Sequence, residues 1–368
     1  MIPVVVLGGS GYVAGELLRL LAGHPHLRPA AILSESQTGE AVESAFPHLA
    51  GCFPGLKFSG RDGLFDGLEG KVAVFCAAPH GAAAALLDEL LTEAEGKGLE
   101  AHAVDLSADF RFADAAEYER VYGHAHGAPA RLASFYCSVP EHAEPNVGAG
   151  LAPAREGVNP SPTSPTAGSN GHRAHPGCFT TATLLATVPL LKLGLIEPRV
   201  SVVAVTGSTG AGKTPTATTH HPARRSNLFA YSPLSHRHEP EMEALAKAAS
   251  GVEAEIHFIP QAGPFARGIY ATVQGKLLRP GEDVSAALAS FYDGSPFVDV
   301  LAAPPRLQDV VGTNRCRMGV AVDGDHVAVF SAIDNLVKGA AGGGIQWMNR
   351  LLGFPETAGL TQPGPGWL

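Results

Sequence analysis

Basic charge is scarce in this 368-residue chain. Lysine and arginine number 26 against 35 aspartates and glutamates, a formal net charge of −9. The electrostatic footprint that a nucleic-acid partner demands is therefore missing. Cysteine is scarce too: Cys52, Cys76, Cys137, Cys178 and Cys316 are scattered, odd in number and without a C-x-x-C pair. That argues against a disulfide framework and a structural zinc site, and for a reducing compartment, the cytoplasm. The N-terminal apolar run, Ile2 to Leu7, lacks a basic leader and is too short for a signal peptide or a membrane span. Internal repeats and long charge runs are absent. What remains is a chain that is 45% apolar, enough for two cores of ordinary size.

The first half alternates strand and helix. "IPVVVL" (2–7) is a β-branched run with no polar face, which suits a buried parallel strand. Ala14, Leu17, Leu18 and Leu21 then recur at helical spacing, and Gly23 and Pro25 supply a stop. "PAAILS", "KVAVFCAAPHG" and "AHAVDLSADF" read as further strands, with a helix over "AAAALLDELLTEAEGKG". This order predicts a parallel sheet with right-handed crossovers. Residues 143–174, rich in Pro, Ser, Gly and Asn, read as a surface loop. Beyond them "TATLLATVPLLKLG" is helical, with Pro189 expected to kink or interrupt it. "VSVVAVTG", "AEIHFIPQ" and "GIYATVQGKL" follow as strands, and "RMGVAVDGDHVAVFSAI" as a hairpin around Asp323-Gly324. "LVKGAAGGGIQWMNRLLG" is the last strong helix.

Two glycine-rich turns carry binding chemistry. Gly8, Gly11 and Ala14 form G-x-x-G-x-x-A between a strand and a helix, where a pyrophosphate can approach the backbone at a helix N-terminus. Glu35, at the end of the second strand, stands where an acid usually takes the ribose 2′-OH of NAD. Ser34 and Ser36 beside it could instead bond a 2′-phosphate. The second turn, "GSTGAGKT" (207–214), matches a phosphate-binding P-loop at each fixed position. Its context does not. Pro215 follows at once, "TATTHHPARRSN" has no apolar stripe, and no acid-ending strand with Walker-B character lies downstream.

Reactive side chains cluster in two stretches. "HPGCFTTAT" (175–183) places Cys178 just before a helix capped by Thr180 or Thr181, where the dipole and free N–H groups favour thiolate; a small buried hydrophobe is the alternative. "SHRHEPEM" (235–242) offers His236 and His238 with Glu239 and Glu241 close by, a proton-transfer set or a polar loop. Metal binding by these imidazoles is the weaker reading, because neither H-E-x-x-H nor a cysteine partner is present. Arg111, Arg237, Arg267 and Lys213 are the cations that could meet an anionic substrate.

Taken together, "GSGYVAGELLRLL", "PHG" (79–81), "DLSADFRF" (105–112), "HPGC", "GSTGAGK", "SHRHEPE", "RGIY" (267–270) and "AIDNLVKGAAGGGIQWMN" (332–349) resemble, in order, the N-acetyl-γ-glutamyl-phosphate reductases of arginine biosynthesis. The resemblance runs through nearly the whole chain. It implies an α/β plus α+β fold like that of glyceraldehyde-3-phosphate and aspartate-semialdehyde dehydrogenases. A discontinuous Rossmann domain, 1–175 with 336–368, would enclose a catalytic and dimerisation domain, 176–335. A homo-oligomer, dimer or tetramer, and a small acyl-phosphate substrate are expected.

The same resemblance implies the site. Cys178 is the nucleophile that forms a thioester, His236 the acid/base and Glu241 its orienting carboxylate. Gly8, Ser10, Gly11, Tyr12, Val13, Ser34, Ser36, Pro79 and Asn335 would hold the coenzyme, with Asn335 beside the nicotinamide. Arg111, His175, Lys213 and Arg267 would face the substrate. NADP(H) is the implied coenzyme, with NAD kept open by Glu35. A reductase of lysine biosynthesis acting on a carrier-bound acyl phosphate is the neighbouring alternative. A phosphotransferase built on 207–214 and a non-catalytic dinucleotide sensor are more remote ones. The chain departs from the family at His175, where Asn is usual, at Thr180, where Pro is usual, at Ala14, and at Glu35.

Overall fold

The computed structural model describes residues 1–143 and 171–366. Seven strands form the first sheet: β1 (Ile2–Leu7), β2 (Leu27–Leu33), β3 (Phe58–Ser59), β4 (Lys71–Cys76), β5 (Glu100–Asp105), β6 (Phe135–Cys137) and β7 (His172–Ala174). Their order is β3-β2-β1-β4-β5-β7-β6, and every pairing is parallel. Helices cover both faces, which is why β1 and β4 read as unbroken apolar runs rather than alternating ones. On one face Leu17, Leu18 and Leu21 of the helix Tyr12–Leu21 join Ile345 and Met348 of the helix Gly342–Leu352 over Val4, Val6 and Phe75. On the other, Leu87, Leu90 and Leu91 of the helix Ala83–Gly96 cover Val5, Leu7 and Val74. The chain's last helix thus returns to the sheet with which the chain began.

The second sheet is mixed. Its strands are β8 (Arg199–Thr206), β9 (Phe229–Ala230), β10 (Glu255–Ala262), β11 (Ile269–Lys276), β12 (Val298–Leu301), β13 (Cys316–Asp323) and β14 (His326–Ile333). The order is β12-β13-β14-β11-β8-β10-β9. The β13–β14 hairpin pairs Asp323 with His326 across Gly324-Asp325, with Gly324 at φ +59°. These strands alternate. Val202, Phe258 and Val273 point into a core under the helices Cys178–Lys192 and His238–Ser250. Val203, Ile259, Tyr270 and Phe330 sit half-buried on the opposite face.

Two expectations are corrected. Residues 172–174 are not loop: they form β7, inserted between β5 and β6, while 144–170 lie outside the described residues. Pro189 does not interrupt its helix, which runs unbroken from Cys178 to Lys192. Proline at 189 deprives the Leu185 carbonyl of its intrahelical N–H partner. The Tyr292 hydroxyl donates to that oxygen at 2.6 Å and replaces the missing bond.

Candidate active site

The glycine turn lies where the strand order reverses. β1 has β2 on one side and β4 on the other, and a crevice opens beyond their carboxyl ends, the usual place for a dinucleotide. Gly8 has φ +78°, and a Cβ there would lie 2.6 Å from the Ala77–Ala78 backbone, so only glycine fits. Gly11 caps the helix Tyr12–Leu21 without a side-chain bond, and a Cβ built on it would meet nothing within 4 Å. The first N–H groups of that helix are therefore unobstructed, and the turn fits a pyrophosphate. Ser10 and Val13 are half-buried, and Tyr12 and Pro79 exposed, around this opening. The third close approach falls one residue later than the pattern suggests: it is Gly15, whose Cβ would strike the Phe46 ring at 2.6 Å. Ser34 is buried at the end of β2, and Glu35 and Ser36 are exposed beyond it.

Cys178 stands at the junction of the two sheets. β7 ends at Ala174, His175-Pro176-Gly177 makes the turn, and Cys178 is the first residue of the helix that covers the second sheet. Glu241, fully buried on the helix His238–Ser250, fixes this turn. Its Oε1 accepts from the Gly177 N–H at 2.7 Å, and its Oε2 accepts from Arg111 Nη1 at 3.1 Å. Arg111 is held in turn by the loop after β5. Asp105 accepts from the Ser107 N–H and hydroxyl, and Asp109 accepts from the N–H groups of Gly81 and Ala84 and from the Tyr118 hydroxyl. "DLSADFRF" is thus a scaffold that presents one guanidinium.

Both imidazoles pack against the neighbours of the cysteine, with their own ring centroids 4.7 Å apart. A Cβ at Gly177 would lie 2.5 Å from His238 Nε2, and the Phe179 ring packs edge-on against His236 and His238, with centroids 6.0 and 6.1 Å away. Hydrogen bonds set their tautomers. His236 Nδ1 accepts from the His238 N–H at 3.1 Å, so its proton sits on Nε2. His238 Nε2 faces Arg111 Nη1 at 3.4 Å, and a guanidinium only donates. That leaves the proton on His238 Nδ1, which is buried without a partner among the described residues. Burial first, and Arg237 second, lower the His236 pKa to about 4. Burial, then Arg111, push that of His238 well below its usual value. Both rings are neutral near pH 7.

Several expected roles change. The thiol of Cys178 is not a resting thiolate: burial raises its pKa to about 11, against the pull of Arg111 and of the Phe179 N–H. Glu241 does not orient His236; its two oxygens hold Gly177 and Arg111. Arg267 is not free for substrate. Its Nε and Nη2 donate to the Asp334 carboxylate, each at 3.0 Å, and its Nη1 donates to Glu16 across the two units at 3.1 Å. His175 is 1% exposed, its Nε2 3.0 Å from the Lys338 carbonyl and its ring against Gly343, so it packs behind the turn. Asn335 accepts from the Gly268 N–H and donates to Thr209 Oγ1; it ties two loops together rather than offering its amide to a ring. Lys213 is exposed, with Nζ 6.0 Å from the centre of the Phe46 ring.

"GSTGAGKT" folds as strand end and 3₁₀ turn, Ser208–Ala211, with no long helix after it. The N–H groups of Gly207, Ser208 and Thr209 donate to the carbonyls of Gly268, Phe265 and Ala266. They are thereby withdrawn from phosphate, and without a helix directly after Gly212 the segment is not a P-loop.

The sequence also concealed the purpose of its densest glycine run. A Cβ at Gly339 would lie 2.7 Å from Cys178 Cβ, one at Gly342 2.5 Å from Asn314 Oδ1, and one at Gly343 2.2 Å from the His175 ring. These glycines let the segment before the last helix press against the cysteine turn. Their bunching was visible; the partners of Gly339 and Gly343, more than 150 positions away, were not.

Comparison with known proteins agrees with this architecture. Residues 3–141 match the family described as "Semialdehyde dehydrogenase, NAD binding domain", and 178–335 the one described as "Semialdehyde dehydrogenase, dimerisation domain". The chain is 38% identical over 369 residues to a Pseudomonas putida (strain W619) protein named N-acetyl-gamma-glutamyl-phosphate reductase, with 99% of each covered. It is 39% identical over 373 residues to the Methanopyrus kandleri protein of that name, again with 99% of each covered. Among solved structures, aspartate semialdehyde dehydrogenase II from Vibrio cholerae superposes with a TM-score of 0.65 at 15% identity, covering 96% of this chain and 98% of that one. The Candida albicans aspartate semialdehyde dehydrogenase with NADP gives 0.62 at 16% identity, with the same coverage.

Proposed function

The chain belongs to the N-acetyl-γ-glutamyl-phosphate reductase family, and from that premise we propose that it reduces N-acetyl-L-glutamyl 5-phosphate to the 5-semialdehyde, releasing phosphate, in arginine biosynthesis. The coenzyme we assign is NADP(H), as the family resemblance implies. The observation that carries the reading is the placement of one half-buried thiol, Cys178, at a helix start whose neighbours Gly177 and Phe179 pack against two neutral imidazoles.

Cys178 Sγ, passing its proton to the departing phosphate, attacks the γ-acyl carbon. The bond from that carbon to the phosphate oxygen breaks, phosphate leaves, and a thioester remains. With its pyrophosphate held at the glycine turn, the reduced coenzyme would supply a hydride to the thioester carbon, after which the carbon–sulfur bond breaks, freeing the semialdehyde and leaving Cys178 as thiolate. His236 Nε2–H donates to the acyl oxygen as it gains charge, and the N–H groups at the helix start are further donors for it. Arg111 serves first to hold Glu241 and, through it, the cysteine turn. Its remaining N–H groups and Lys213 are our candidates for the substrate's anionic ends.

The half-exposed apolar face of the second sheet, with Val203, Ile259, Tyr270 and Phe330, supports a homo-oligomer formed by stacking that face. Five unpaired cysteines support a cytoplasmic setting. We draw the domain boundary at 175/176, with 336–368 returning to the first unit.

The direct test is the reverse reaction: N-acetylglutamate semialdehyde, phosphate and NADP⁺ should yield NADPH, and Cys178→Ser should abolish it. Strong residual turnover in that variant would remove the covalent route.

A further inference from the structure

Glu35 is an unfavourable residue for NADP(H), because its carboxylate stands where a 2′-phosphate would arrive. The fold brings a cation to that place from a different strand. β3 pairs in parallel with β2, Ile32 with Phe58 and Leu33 with Ser59, and the Ser34 N–H donates to the Ser59 carbonyl at 3.1 Å. The segments leaving both strands therefore emerge side by side at the carboxyl edge of the sheet. One carries Ser34, Glu35 and Ser36; the other carries Arg61. The Gly9 N–H donates to the Leu33 carbonyl at 2.8 Å, so the glycine turn adjoins this edge.

Arg61 reaches back across the gap. Its Nε lies 3.5 Å from Glu35 Oε1, and its Nη1 donates to Glu89 Oε2 at 3.1 Å. Glu89 belongs to the helix Ala83–Gly96 and anchors the far side of the guanidinium. Glu35 is held only by the long contact and is 71% exposed, against 46% for Arg61. A phosphate arriving between them can displace the weaker partner into solvent and take its place on the guanidinium, while Glu89 keeps the fork in position.

Building on the proposed function, we infer that Arg61 is the specificity-determining residue that reads the 2′-phosphate of NADP(H), and that Glu35 is its displaceable placeholder. Coenzyme preference is then set across β2 and β3 rather than within the loop after β2.

The experiment is a fluorescence titration of the full-length protein with NADPH and with NADH, without substrate. Arg61→Ala should raise the NADPH Kd by about 10- to 100-fold, the range a charge-assisted hydrogen bond supplies. The NADH Kd should stay within about twofold, since that coenzyme lacks the group being read. Glu35→Gln should tighten NADPH and so raise the preference for NADPH over NADH. An Arg61→Ala protein that weakens both coenzymes alike, or neither, overturns the inference while the reductase reading stands. Failure of the unaltered protein to bind either coenzyme overturns that reading as well.

Discussion

Arg111 and Glu241 meet across the two units of the fold, Nη1 to Oε2 at 3.1 Å, with the arginine side chain 10% exposed and the glutamate fully buried. Their electrostatic effects on Cys178 are opposite: Arg111 lowers its pKa and Glu241 raises it, both smaller than or secondary to the burial that takes it to about 11. Alkylation of Cys178 by iodoacetamide should therefore accelerate with pH up to about 11. Glu241→Gln should move that inflection down, because Gln can still accept from Gly177 while Arg111 loses its opposing charge. Arg111→Met should move it up. Breaking a buried pair in this way costs about 3–5 kcal/mol, measurable as a lower denaturation midpoint.

Acid should destabilise the protein through its buried imidazoles. Burial lowers the pKa of His175 to about 3, and of His142 and His172 to about 4. The unfolded chain binds these protons near pH 6.5, before the folded chain does, so stability is present above that pH and lost as pH falls toward 3–4. Thermal midpoints should drop through this window. His175→Asn, which cannot take up that proton, should flatten the fall.

Gly11 and Gly339 should respond oppositely to an added methyl group. Gly11→Ala meets no protein atom within 4 Å, so the melting temperature should hold while NADPH affinity falls by about tenfold or more, as the methyl enters the approach of the pyrophosphate. Gly339→Ala would bring a Cβ to 2.7 Å from Cys178 Cβ. Overpacking of that kind costs about 1–3 kcal/mol, and here the displaced residue is the proposed nucleophile, so kcat should fall more than stability does.

Tyr292→Phe should leave the Leu185 carbonyl buried and unpaired, at a cost of about 1–3 kcal/mol. Pro189→Ala restores an N–H to that carbonyl. In the double variant the loss should be largely recovered, and urea denaturation of the four proteins of the cycle measures the coupling.

Local pattern carried much of the fold into the sequence. The strand–turn–helix at Ile2–Leu21, the cysteine at a helix start, the hairpin after Cys316 and the unsuitability of 207–214 as a nucleotide site were legible because each depends on neighbours a few residues apart. The strands β3, β6, β7 and β9 were not: two or three residues are too few to show a period, and their pairing partners define them. The roles of Arg267, Glu241 and His175 were hidden for another reason. Residue type announced a charge or a ring, while the partners Glu16, Gly177 and Lys338 lie 64 to 251 positions away. The tilt of the Cys178 pKa follows the same logic, since a helix start argues for thiolate and only the packing around it shows how much water has been removed.

Gly339 rests on Cys178, and this contact has a topological meaning. Among the described residues the backbone passes from the first sheet into the second at 175–177 and comes back at 334–339, and the two crossings touch at the sulfur-bearing residue. Both backbone connections between the two units therefore converge on the proposed nucleophile, so a disturbance of either one reaches Cys178 directly.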